Sequence, residues 1–177
     1  MLWSSDINIK KPNSSGFYAA HQDATAWVAL SDPVGEREGC LAFYPESHKL
    51  HQLPHKSEMN ENNMLVLGQY IDADVIKQLN NPVSIELRSG QATLHSFDCV
   101  HSSSPNNSDK PRVGLALRYM AGYVIQTKPI REMATWICGS NYVNSIHFDL
   151  EPILPECPSI DDIKRGRGAQ KESLLRE

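Results

Sequence analysis

Apolar residues recur along this chain in short runs, each closed by turn formers. Ala26-Trp27-Val28-Ala29-Leu30 and Cys40-Leu41-Ala42-Phe43-Tyr44 read as buried strands. The first is broken by Asp32-Pro33-Val34-Gly35 and the second by Pro45. Val83-Ser84-Ile85-Glu86-Leu87 alternates apolar and polar positions, and Ser89-Gly90 predicts a turn into Gln91–Phe97 as its hairpin partner. Ile7–Lys10 is a short strand before the turn Pro12-Asn13-Ser14-Ser15-Gly16, and Phe17–Asp23 is extended. Arg112–Met120 is the longest strand candidate, with Tyr123–Thr127 extending the sheet after Gly122. One helix is expected over Asp72–Leu79, where Asp72 can cap and Val75, Ile76 and Leu79 share a face. Residues 46–70 read as irregular. Many short strands and few helices predict an all-β sandwich or barrel, of which the jelly roll is one form.

Length and charge narrow the class. The 177 residues suit one domain, large enough to bury a core without disulfide staples. We expect a core over residues 1–150 and a surface-running segment with a mobile end over 151–177. Lys and Arg total 17 against 21 Asp and Glu, a net charge of −4. No basic excess points to nucleic acid, and Lys164-Arg165-Gly166-Arg167 reads as part of a solvated tail. Cys40, Cys99, Cys138 and Cys157 form no C-x-x-C pair. With no signal-peptide pattern and no run long enough for a membrane span, a cytoplasmic protein with reduced thiols is expected.

His21-Gln22-Asp23 is the sharpest local feature. In an extended segment, residues i and i+2 project to the same side, so an imidazole and a carboxylate converge. One further histidine makes a two-histidine, one-carboxylate triad with open coordination positions, the arrangement of oxygen-activating iron(II). Alone, H-x-D is as easily a surface histidine beside a turn aspartate. Downstream, His101-Ser102-Ser103 ends one strand, and Arg112 begins another after a Pro/Asn/Ser turn. The planar fork of an arginine suits a carboxylate. His95 could rival His101 as a ligand but reads better as a strand histidine at the barrel mouth. The His48, His51, His55 group reads as a loop, and Arg118 as half of a structural ion pair.

Together these segments resemble the phytanoyl-CoA dioxygenase family of non-haem iron(II) and 2-oxoglutarate oxygenases. The family pattern is H-x-D, a glycine-led strand ending in Pro-Gly-Ser-His, then H-x-S and an arginine eleven residues beyond that histidine. Here the matching segments are His21-Gln22-Asp23, Gly39 to His48 with Glu46 in place of the glycine, His101-Ser102-Ser103, and Arg112. The resemblance implies a double-stranded β-helix, a cupin-like jelly roll with short helical and irregular additions. It implies His21, Asp23 and His101 as iron(II) ligands and Arg112 with Ser103 on the distal carboxylate of 2-oxoglutarate. Asn8 aligns with a co-substrate contact, and Trp27 either fills the strand or lines that site. The implied reaction is hydroxylation of a small organic substrate by O2, with 2-oxoglutarate converted to succinate and carbon dioxide and ascorbate as an optional reductant. Asp23 stands where halogenating relatives carry a small residue, which favours hydroxylation. The family usually has a helical region before H-x-D; only 20 residues precede His21, which reads as an N-terminally shortened core. The alternatives are a jelly-roll binding or scaffold protein with a vestigial metal site, and a zinc-dependent hydrolase, which leaves Arg112 and Ser103 without a role.

Overall fold

The computed structural model describes residues 1–23, 25–124, 132–138 and 148–150. The chain divides into two compact units, Ser5–Arg118 and Met1–Ser4 with the chain from Tyr119.

The first unit is built on two four-stranded sheets. One runs in the order β1 (Leu2–Lys10), β10 (Arg112–Tyr119), β3 (Thr25–Ala29), β8 (Ala92–His95). The other runs β2 (Tyr18–Gln22), β9 (Val100–Ser103), β4 (Leu41–Phe43), β7 (Val83–Ile85). Antiparallel registers set Ala29 against Gly114, Ala26 against Leu94, His21 against His101, and Leu41 between Ser103 and Ile85. From β2 to β4, and again from β7 to β10, the chain changes sheet at every connection. That crossing is the jelly roll the sequence led us to expect. A ribbon of β5 (His55–Ser57) and β6 (Gln69–Ile71), a 3₁₀ turn at Ser47–Leu50 and the single-turn α1 (Ala73–Ile76) complete the unit. Asp72 caps α1 by accepting from the Asp74 N–H. Beyond α1 only i→i+3 bonds continue, from Gln78 N to Val75 O and from Leu79 N to Ile76 O.

Several expectations change: residues 46–70, expected to be irregular, carry the 3₁₀ turn, β5 and most of β6, and the helix expected over Asp72–Leu79 is the single turn Ala73–Ile76. The segments around Ser89-Gly90 are strands but not a hairpin: β7 pairs with β4, and β8 pairs with β3 in the opposite sheet. Period-2 alternation marks a strand with one buried face but leaves its partner open. The first strand is longer than the expected Ile7–Lys10, running from Leu2 to Lys10, and it turns its isoleucines outward. Ile7 and Ile9 are 64% and 51% exposed, whereas Lys10 is 1% exposed. On β8, likewise, Leu94 is 83% exposed while the His95 side chain points inward, 4% exposed.

The apolar core lies between the sheets: Trp27, Ala29, Val34, Cys40, Leu41 and Ala116, with Phe43 and Leu87 packed against it. Gly114 on β10 makes room for its largest member, because a Cβ there would overlap the Trp27 indole. In the second unit, Met1 and Ala134 are buried with Met120 and Trp136 against them, and Leu2 and Thr135 exchange two backbone bonds of 2.8 Å. There β11 (Glu132–Ala134) pairs in parallel with β12 (Phe148–Leu150). Residues 125–127 of the last expected strand, and the segment 151–177, lie outside the described residues. No helix among the described residues is long and apolar enough to cross a membrane.

Gly114→Ala is expected to destabilise the fold by roughly 1–3 kcal/mol, because the indole must shift within a packed core. Denaturant midpoints of the two proteins measure this, and equal midpoints would show that the indole relaxes freely.

Candidate metal centre

Strand pairing builds the site. The β2–β9 register places His21 directly across from His101, and Asp23 follows the end of β2. Each imidazole has its Nδ1 at a backbone carbonyl two residues earlier: Ala19 O at 2.7 Å for His21 and Cys99 O at 3.1 Å for His101. With Nδ1–H donating there, Nε2 is the nitrogen left to bind a metal. One ligand atom from each of His21, Asp23 and His101 lies within 4.8 Å of the others. Asp23 divides its two oxygens. Oδ1 is 3.4 Å from His101 Nε2 and accepts from Thr25 Oγ1 at 3.0 Å. Oδ2 accepts from Arg118 Nε at 2.9 Å, and the same guanidinium pairs with Asp6.

The residue between the two ligands turns away and staples loops together. Gln22 accepts from Leu53 N at 2.8 Å and donates to His51 O at 2.9 Å and Asp98 O at 2.7 Å. The Pro-Glu-Ser-His turn has a similar task. Ser47 is buried, and its Oγ accepts from Val100 N at 2.9 Å, next to His101. Glu46 adopts the left-handed φ of 65° that a glycine takes without steric cost.

Burial keeps the ligands ready. Desolvation, reinforced by His101, lowers His21 to about 3 against the pull of Asp23, so the imidazole is neutral, as a ligand must be. Burial alone would raise Asp23. The hydrogen bond from His101 and the charge of Arg118 instead hold it below the usual carboxylate range.

A second set of polar groups lines the same cavity. Arg112 is wholly buried. Its guanidinium carbon lies 4.4 Å from the Trp27 ring centroid, and Nη2 donates to Ser103 Oγ at 3.3 Å. Nε and Nη1 have no partner. Ser103 Oγ donates to Gly39 O at 2.8 Å and accepts from Lys10 Nζ at 2.6 Å. Lys10 Nζ also donates to Ser103 O at 3.2 Å and to Ser104 O. Asn8 Oδ1 faces Trp27 Nε1 at 3.4 Å. Burial lowers Arg112 to about 10, and burial with the adjacent guanidinium lowers Lys10 to about 7. The buried guanidinium thus keeps unmet donors on Nε and Nη1, each able to take an anion oxygen.

All seven residues singled out in the sequence (Asn8, His21, Asp23, Trp27, His101, Ser103 and Arg112) therefore fall around one cavity or touch its lining. Trp27 both fills the core and stacks on Arg112. Arg118 forms the expected ion pair, but with Asp23 itself. His48 and His51 are exposed, and His55 Nε2 accepts from Gln22 N at 3.2 Å. Two residues outside the expected set share the site. Lys10 shares the inward face of Asn8, a period-2 signal present in the sequence. His95 stands beside the triad, its Nε2 3.9 Å from Asp23 Oδ1. Burial and the nearby His101 lower it to about 4.

The chain is similar to known proteins in sequence and fold. The family profile of phytanoyl-CoA dioxygenase (PhyH) matches residues 1–114. A methylphosphonate hydroxylase from Gimesia maris is 32% identical over 131 residues, covering 68% of this chain and 45% of that protein. The chain thus spans less than half of that curated relative. Among solved structures, the apo form of the non-haem monooxygenase ThoJ aligns with a TM-score of 0.72 at 22% identity, over 99% of this chain and 68% of ThoJ. The ThoJ–nickel complex aligns at 0.68 and 21% identity, over 99% of this chain and 66% of its own. These structural likenesses bear on the fold.

Two outcomes follow from the geometry. Arg118→Gln should weaken metal affinity by roughly 10- to 100-fold through Asp23, read by titrating the apo-protein with iron(II) or cobalt(II); wild-type affinity would leave Arg118 outside the site. Lys10 loses its proton near pH 7 in the folded protein and near 10.5 in the unfolded chain. Between those values the unfolded chain holds more protons, so stability rises with pH across that window and is flat below it. Its three acceptors favour the ammonium, but burial beside Arg112 outweighs them. Lys10→Met should remove a slope of up to about 1.4 kcal/mol per pH unit, seen by denaturation at pH 7, 8 and 9.

Proposed function

The chain belongs to the phytanoyl-CoA dioxygenase family, and on that footing we propose that it is an iron(II)- and 2-oxoglutarate-dependent dioxygenase. It hydroxylates a small organic molecule and releases succinate and carbon dioxide. The observation that carries the reading is Arg112: a wholly buried guanidinium with Nε and Nη1 unpartnered, lining the cavity that also holds His21, Asp23 and His101. A cation so placed leaves its donors unsatisfied until an anion arrives. A zinc hydrolase would have no use for it.

His21, Asp23 and His101 hold the iron, and Arg112 holds the distal carboxylate of the co-substrate. Ser103 orients that guanidinium, and Trp27 and Asn8 wall the space. When bound, the iron supplies oxygen activation, using electrons from 2-oxoglutarate. Arg118 and Thr25 keep the Asp23 carboxylate aimed, and a carboxylate at this position favours hydroxylation. The cavity is tight, about 40 Å³, so a five-carbon diacid enters only as lining side chains such as Leu65 move apart. Ascorbate serves as an optional reductant. Cys40, Cys99 and Cys138 are free thiols, which suits a cytoplasmic enzyme. Similarity to a methylphosphonate hydroxylase makes small phosphonates the first substrates to try.

Anaerobic addition of iron(II) and then 2-oxoglutarate should produce the weak visible charge-transfer band of the chelate. His101→Ala should lose iron. Arg112→Ala should keep iron but need roughly 10- to 100-fold more 2-oxoglutarate, the worth of hydrogen bonds to a charged group. A folded protein that binds iron but shows no band would be a scaffold with a vestigial site.

A further inference from the structure

β8 turns two polar side chains inward that neither the metal nor the co-substrate uses. Thr93 and His95 share a face, opposite Trp27 and Thr25 of β3. Thr93 Oγ1 and both ring nitrogens of His95 are buried without a partner, and such groups are rare in folded proteins. The His95 side chain is almost wholly buried, and its ring centroid lies 4.4 Å from that of His101 and 5.0 Å, edge-on, from that of Phe43.

The two residues border open space, with the orphaned atoms themselves covered. A cavity of about 410 Å³ is lined by both of them, with Phe43, Ile85, Ser96 and Cys99 among its other walls. His95 also lines the metal cavity, so it borders both spaces. No carboxylate lines the larger cavity. Its polar groups are imidazoles, hydroxyls and a thiol, and its apolar wall is short. Arg112 is taken up by the co-substrate and Arg118 by Asp23 and Asp6. Small-molecule sites combine an apolar wall with a few convergent polar groups in this way.

We propose that Thr93 and His95 anchor the primary substrate, and that this substrate is a short-chain molecule carrying an oxyanion close to the C–H bond that is oxidised. The assignment rests on the dioxygenase reading. The oxyanion accepts hydrogen bonds from the imidazole and the hydroxyl, its carbon chain lies along Phe43 and Ile85, and the bond to be oxidised is held toward His21, Asp23 and His101. His95 is thus a substrate-binding residue, not a fourth metal ligand.

The test uses the full chain, loaded anaerobically with iron(II) and 2-oxoglutarate. Methylphosphonate, ethanesulfonate and propionate are then titrated, with propionamide as the uncharged control. The chelate band and saturation-transfer NMR on the zinc-loaded protein report binding. At least one oxyanion should bind ten times or more tightly than propionamide. His95→Gln and Thr93→Val should each weaken that binding tenfold or more while iron and 2-oxoglutarate affinities stay at wild-type values; their chelate bands show that both variants are folded. The proposal is overturned if no oxyanion outbinds propionamide, if both variants bind like wild type, or if His95→Gln loses iron. A missing chelate band before any probe is added overturns the dioxygenase reading itself, and this one with it.

Discussion

Two basic side chains lie inside this jelly roll without a carboxylate partner among the described residues: Arg112, and Lys10, which burial keeps close to losing its proton, both on Ser103 Oγ. Burying charge is costly unless it is paired, and much of the interior follows from managing that cost. Trp27 offers Arg112 the face of its indole, and Gly114 is bare so that the indole can lie there. Gly39, with φ at 71°, runs so close to Ser104 O that no Cβ would fit, and its own carbonyl holds the Ser103 hydroxyl. What remains unsatisfied is two guanidinium donors at the cavity wall, where an anion fits. A ligand that fills it adds its binding energy to the stability of the fold.

Asp23 links a third cation, Arg118, to the histidines. One oxygen belongs to Arg118, and through Arg118 to Asp6; the other faces His101. The carboxylate is therefore ionised and aimed, and burial holds the His21 imidazole neutral. Outer groups of this kind orient metal ligands and tune them. The Ser47 hydroxyl beneath Val100 does so at one remove, pinning the strand that carries His101.

The interior given to these groups is unavailable for apolar packing. Ile7, Ile9 and Leu94 face outward so that Asn8, Lys10 and His95 can face in. The apolar core is correspondingly small and centred on Trp27. Strands that carry polar groups inward and apolar ones outward contradict the binary pattern of a stable sheet, and such contradictions gather at functional sites.

The sequence alone determined the fold class, the strands that flank the site and the residues around it. H-x-D, H-x-S and the arginine eleven residues on are short-range patterns, and the two-residue period of a strand converts them directly into side chains on a common face. Tertiary structure alone decided that the strands on either side of Ser89-Gly90 lie in opposite sheets, because pairing partners are chosen by long-range contacts. It alone brought Arg118 to Asp23, 95 positions apart. It also decided that Lys10 and His95 point inward: hydropathy assigns such residues to solvent, and only a cavity that needs their charge or hydrogen bonds turns them the other way.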